Sequence, residues 1–212
     1  ASGDFYDFIS LPDGQWGIVM ADVTDKGAGA ALYMAQSCTL IRTYAAEYPR
    51  RPELVLGAAN RRILKDCSAS QFVTVFYGVL DPATGTLVYG NAGHCPPFRF
   101  GMRDDEDVHE LARTGIPLGI YEDRTWRQET IQVDPGDALV LYTDGITEAH
   151  NGPPLLFGRE RLVESVRATL GAAGSQPHPA REIRDGLLAD VYAFTGGAPR
   201  SDDIALITLV RG

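Results

Sequence analysis

Apolar positions along the chain fall into short runs separated by turn signals, and the spacing within each run predicts its element. Residues 15–21 (QWGIVMA) form an apolar stretch of strand length behind the turn Pro12-Asp13-Gly14, and the run stops at Asp22. From residue 29 to about 48 small and apolar residues recur at helical spacing, with Thr24 and Asp25 as candidate N-terminal caps. A second helix is predicted over residues 52–66, where Pro52 suits the first turn because its missing N–H would have no helical partner there. Residues 72–80 (FVTVFYGVL) and 86–91 (TLVYGN) are β-branched and aromatic, and Asp81-Pro82-Ala83-Thr84-Gly85 joins them as a hairpin. Residues 127–133 and 138–143 (ALVLYT) read as a second hairpin through Asp134-Pro135-Gly136-Asp137, again ending at an acid, Asp144. Helical spacing returns over 159–170 and 180–194, and the chain closes on the apolar run 204–210 (IALITLV) behind Asp202-Asp203.

Hairpin connections predict antiparallel sheet, and amphipathic helices need sheet faces to cover. The pattern therefore predicts a layered α/β (α+β) sandwich, not a doubly wound parallel fold. Neither GxxxxGK[ST] nor GxGxxG occurs after a strand, which argues against nucleotide binding by those loops.

Composition adds limits. With 212 residues, 44% apolar and 22% charged, the chain is expected to fold as one domain over residues 1–212. A net charge of -9 repels a phosphate backbone, so nucleic-acid binding is not expected. The cysteines Cys38, Cys67 and Cys95 are odd in number and far apart, which suits neither a disulfide framework nor a zinc ribbon, and a cytoplasmic location is expected. No run is apolar and long enough for membrane insertion, and the first residues lack a signal-peptide pattern. The abrupt start at Ala1 suggests sequence upstream.

Position gives some of the acids chemical meaning. Asp4 beside Gly3, Asp22 after VMA, Asp144 before Gly145, and Asp202-Asp203 before IAL all stand at the end or start of an apolar strand. Strand ends in one sandwich can meet, and converging carboxylates repel unless a cation neutralises them. Hard oxygen ligands suit Mg²⁺ or Mn²⁺, and two such ions can activate a water for in-line attack on a phosphate ester. Taken singly, these positions also have plain structural readings: Asp25 or Thr24 as a helix cap, Asp144-Gly145 as a turn, Asp202-Asp203 as a strand-edge charge and Asp4 as a solvated surface acid.

Eight motifs in order carry a resemblance: GDFYDF (3–8), ADVTDKGAGAALYMA (21–35), FVTVFYGVLD (72–81), NAGHCPP (91–97), GIPLGI (115–120), PGDALVLYTDGITEA (135–149), FGRERL (157–162) and SDDIALI (201–207). Together they resemble the PPM-type metal-dependent serine/threonine phosphatases, in the SpoIIE-like bacterial branch that regulates sigma factors. The resemblance implies two central antiparallel sheets flanked by helices (αββα) and a site holding two ions, Mn²⁺ or Mg²⁺. It implies Asp22 as bridging carboxylate with the Val23 carbonyl on one metal, and Asp4, Asp144 and Asp202 completing the set. Asp203 is the ligand if the alignment slips by one. Asp22 and Asp144 are the residues on which catalysis is expected to depend.

The implied substrate is phosphoserine or phosphothreonine on an anti-sigma-factor antagonist, with an upstream sensor domain in the full-length chain and the family's first core strand absent before GDFYDF. Ala21 stands where many relatives have Gly, Cys95 where Asn is frequent, and Val23-Thr24 where eukaryotic relatives place a histidine. His94 reads either as a group facing the metals or as a hydrogen-bonded turn residue, and Lys26 either as a contact for incoming phosphate or as a solvated cation. Phe5, Tyr6 and Phe8 read as core or edge packing, while His109, His150, His178 and the cysteines receive no role. A different class of function, a non-catalytic phosphoprotein-binding module of the same fold, is the alternative to hydrolysis.

Overall fold

A computed structural model describes residues 3–25, 27–66, 71–101, 107–152, 155–172, 179–198 and 202–212, and Lys26, Cys67 and His178 lie outside these. The strands and helices follow in the order β1 (Phe5–Ser10), β2 (Trp16–Val23), α1 (Ala28–Glu47), α2 (Pro52–Asp66), β3 (Val73–Leu80), β4 (Thr86–Ala92), β5 (Phe98–Phe100), β6 (Val108–Glu110), β7 (Glu129–Gln132), β8 (Ala138–Tyr142), α3 (Asp144–Thr147), α4 (Gly158–Ala172), α5 (Pro179–Thr195) and β9 (Leu206–Val210). They form two compact units, one of Ala1–Pro96 with Leu111–Val133 and the other of Pro97–Glu110 with Asp134–Gly212.

The first unit holds a five-stranded antiparallel sheet in the order β1-β2-β3-β4-β7. Because side chains alternate along a strand, Phe5, Ile9, Val19, Ala21, Val23, Val75 and Tyr77 share one face. These join one buried cluster with Ala30, Tyr33, Ile41 and Ala45 of α1 and Val55, Ala59 and Ile63 of α2. In α2 they recur every four residues, and in α1 the buried Ser37 fills the gap between Tyr33 and Ile41, so each helix presents a core-facing stripe. Each fully buried Leu- or Ile-sized side chain stabilises the fold by about 1.5–3 kcal/mol. The start of α1 corrects the expected caps: Gly27 is the N-cap, with no side-chain hydrogen bond. Thr24 is engaged elsewhere, its hydroxyl donating to the Phe72 carbonyl and accepting the Phe72 N–H, both at 3.1 Å, while Asp25 takes a left-handed φ of 73°.

The second unit holds a four-stranded antiparallel sheet, β6-β5-β8-β9. All five residues of β8 are buried. Helix α5 buries Ile183, Leu187 and Val191 at four-residue spacing, α4 buries Leu162, Val166 and Leu170 likewise, and Phe157 meets Phe194 edge-on at 5.5 Å.

The second expected hairpin does not form. β7 pairs with β4 in the first sheet, and β8 pairs with β5 and β9 in the other. The residues between them are held by other partners: Gly136 N–H donates to the Arg211 carbonyl at 2.7 Å, and Arg211 N–H to the Asp137 carbonyl at 3.1 Å. The buried Asp137 carboxylate accepts from Asp134 N–H at 3.0 Å and pairs with Arg99 at 2.7 Å. The short strands β5 and β6 give no sequence period of their own and were not expected. The expectation of two antiparallel sheets with flanking helices is met.

Candidate functional site

Each unit carries its own group of the expected acids. In the first, β1 and β2 are antiparallel with Phe5 opposite Ala21, and one step further out Val23 N–H donates to the Gly3 carbonyl at 3.3 Å. Asp4 therefore stands directly across from Asp22, on the face opposite the α1–α2 core. Asp22 lies inside β2, opposite Thr74 of β3, and not beyond the strand's end as the apolar run suggested. Both carboxylates are half-buried. Like charges facing each other across a strand pair are destabilising, so the arrangement favours a cation.

Two neighbours shape this end of the sheet. A Cβ on Gly3 would stand 2.6 Å from the Val23 carbonyl oxygen and 3.4 Å from an Asp22 carboxylate oxygen. Only glycine permits that approach, which sets a backbone carbonyl beside the acid pair. Thr74 donates its hydroxyl to the Asp22 carbonyl at 3.4 Å and lies 2.9 Å from His94 Nδ1. His94 is 1% exposed, its own N–H donates to Asn91 Oδ1 at 2.9 Å, and its carbonyl accepts from Arg113 Nε at 3.1 Å. These bonds give His94 the role of a turn residue that braces the backbone behind Asp22.

In the second unit, Asp144 opens the short helix α3 immediately after β8, and Asp202-Asp203 lead toward β9. Thr143 ties the two segments: its N–H donates to the Ala205 carbonyl at 3.1 Å, and its hydroxyl accepts from Ala205 N–H at 2.9 Å. A Cβ on Gly145 would fall against the Asp203 carbonyl, with the carbonyl carbon only 2.9 Å away, so the glycine lets the two acid-bearing segments touch. Of the adjacent pair, Asp202 is half-buried and Asp203 exposed. Asp203 N–H donates to Asp202 Oδ1 at 2.8 Å.

Glu148, absent from the sequence-based set, joins this group. Partial burial, and behind it the charges of Asp144 and Asp202, push its carboxyl above the usual carboxylate range. Its four-residue spacing from Asp144 in DGITE was the available signal. Among the described residues, no group of three or more His, Cys, Asp or Glu side chains stands in metal-holding geometry. The donors present, carboxylates and one backbone carbonyl, are the hard oxygens that Mg²⁺ and Mn²⁺ take. They fit such ions by chemistry, and the Asp4–Asp22 opposition gives a reason for one. Lys26, considered for phosphate contact, lies outside the described residues.

The family described as Stage II sporulation protein E (SpoIIE) matches residues 12–211. Protein IcfG of Synechocystis sp. (strain ATCC 27184 / PCC 6803 / Kazusa) is 32% identical, over 99% of this chain and 36% of its own length. Phosphoserine phosphatase RsbU of Bacillus subtilis (strain 168) is 33% identical, over 69% of this chain and 43% of its own length. The chain thus spans less than half the length of these relatives. The RsbU and RsbW domains of a Mycobacterium tuberculosis protein superpose with a TM-score of 0.83 at 26% identity, covering 100% of this chain and 57% of that one. The PP2C phosphatase domain of SpoIIE from Bacillus subtilis gives 0.76 at 18%, covering 97% and 57%, which speaks for the fold alone. No helix among the described residues is long and apolar enough to cross a membrane. A family match across nearly the whole chain, on a fold shared with PP2C phosphatase domains, establishes that this chain belongs to the SpoIIE family.

Proposed function

We propose that the chain is a protein serine/threonine phosphatase that hydrolyses phosphoserine or phosphothreonine on a regulatory protein. The observation that carries this reading is the opposition of Asp4 and Asp22 beside the Val23 carbonyl, in a chain of a family whose relative RsbU is named a phosphoserine phosphatase. Asp22 serves as the central carboxylate with the Val23 carbonyl beside it. Asp4, Asp144 and Asp202 supply the remaining negative charge, with Asp203 as the reserve for Asp202. Two divalent cations, Mn²⁺ or Mg²⁺, would supply the charge that neutralises the phosphate and lowers the pKa of water. The chain's own part is to hold those oxygens in place: Thr74 and His94 brace the Asp22 backbone, and Thr143 and Gly145 fix the Asp144 and Asp202 segments against each other.

The reading extends to an anti-sigma-factor antagonist as substrate, a cytoplasmic location, residues 1–212 acting as one catalytic domain, and an upstream sensor as the source of control. Hydrolysis of a phosphoserine peptide and of p-nitrophenyl phosphate with added Mn²⁺ tests it. Asp22→Asn and Asp144→Asn are each expected to abolish turnover, and wild-type rates in either variant would overturn the site. A phosphorylated antagonist that resists hydrolysis while the small substrate is cleaved would overturn the substrate assignment.

A further inference from the structure

The second unit contains a cavity of about 180 Å³ that the site description leaves unused, lined among others by His150, Val191, Tyr192, Ala198, Asp202 and Ile204. It lies between the segment after α3, the end of α5 and the approach to β9. Size narrows the occupant. Sites for cofactors and drug-sized molecules run to about 300–1,000 Å³, whereas an apolar cavity of about 150 Å³ admits one benzene ring. A single side chain is the scale that fits.

The walls define the chemistry. Val191, Ala198 and Ile204 offer an apolar body, and Asp202, in electrostatic reach of Glu148, lines the cavity with them. Asp202 belongs to the acid group proposed to serve the phosphate, so a guest in this cavity stands next to the reacting end of a substrate.

On the reading of the chain as a phosphoprotein phosphatase, we propose that this cavity is a specificity subsite. It receives the side chain of a residue flanking the phosphorylated serine or threonine. The favoured residue is apolar and of leucine or methionine size. Aspartate and glutamate are disfavoured, because a carboxylate set against the apolar walls of Val191, Ala198 and Ile204 loses its hydration without replacement.

The test uses phosphoserine peptides in which each position from three before to three after the phosphoserine is varied in turn, with the Mn²⁺-loaded protein. One position is expected to prefer leucine or methionine over glycine by about 10–200-fold in kcat/KM, the range a pocket reads from small changes in a side chain. Ala198→Phe, which fills the cavity from its rim, should collapse that ratio toward one whatever the absolute rate, and Thr195→Phe serves if the first variant misfolds. A flat preference at every position, or a preference that both folded variants retain, overturns the subsite. Hydrolysis of p-nitrophenyl phosphate separates this from the activity itself. If wild-type protein cleaves neither substrate, the phosphatase reading fails. The subsite is then decided by peptide binding in fluorescence anisotropy, where an equal affinity of wild type and Ala198→Phe for the leucine peptide refutes it.

Discussion

Replacing Asp4 with Asn should make the protein more stable without metal and less stable with it. Directly opposed residues in an antiparallel pair place their Cβ atoms about 4.5–5.5 Å apart, and Asp4 and Asp22 occupy such positions. Two unit charges ~5 Å apart in water-like surroundings repel by ~0.8 kcal/mol. Asp4→Asn keeps the shape and removes one charge, so up to that amount is recovered when no cation is present. For a chain of this size 1 kcal/mol corresponds to about 2–4 °C in Tm, which predicts a rise of ~1–3 °C in a chelator. Mn²⁺ at a hundred times its Kd stabilises the binding-competent protein by ~2.7 kcal/mol, or roughly 5–11 °C in Tm. The variant, with one of the proposed ligand oxygens made neutral, should gain far less. Calorimetric melts in EDTA and in Mn²⁺ therefore cross: the variant melts higher in the first and lower in the second. A variant that melts below wild type in EDTA, or that gains as much from Mn²⁺, refutes the opposed-carboxylate argument.

Three further outcomes follow from single contacts. Gly145→Ala drives a Cβ into the Asp203 carbonyl, and overpacking of this kind costs about 1–3 kcal/mol, so Tm should fall by roughly 2–12 °C; an unchanged calorimetric melt would show that the two segments do not touch. Tyr77 has a buried hydroxyl without a hydrogen bond, and burial holds its pKa far above the usual tyrosine value; Tyr77→Phe should raise stability by about 1 kcal/mol, and a lower urea midpoint would count against it. Asp81 accepts the N–H groups of Thr84 at 3.2 Å and Ala83 at 2.9 Å, and these bonds hold its pKa below the usual carboxylate range. A depressed folded-state pKa gives stability that is present above the ordinary carboxylate pKa and lost as pH falls through the depressed one, so wild type should melt above Asp81→Ala at neutral pH and the gap should close in acid; a gap that persists at the acid limit would contradict this.

The acids were legible because each interrupts or borders an apolar run, whereas their partnership depended on a strand that the sequence disguised. β1 reads FYDFIS, with Asp7 at a core-facing position between Phe5 and Ile9. An acid there breaks the apolar alternation that marks a half-buried strand. The fold tolerates it because Arg42 of α1 forms an ion pair with the Asp7 carboxylate, a long-range contact that no local pattern reveals.

The register itself was available once β1 is admitted. Every β1–β2 pair is symmetric about Asp13 in the Pro12–Gly14 turn, so counting outward from that turn brings Asp4 opposite Asp22. The β7–β8 hairpin failed for the converse reason. Asp134-Pro135-Gly136-Asp137 carries a strong turn composition, yet turn propensity is local and says nothing about which sheet each flanking strand joins. Arg99 and Arg211 decide that, by binding Asp137 from elsewhere in the second unit. Glu148 and the cavity beside Asp202 were hidden in the same way, since their meaning comes from segments far apart in the sequence. What local pattern could supply was the chemistry at each strand end; what it could not supply was the set of distant residues that hold those ends in place.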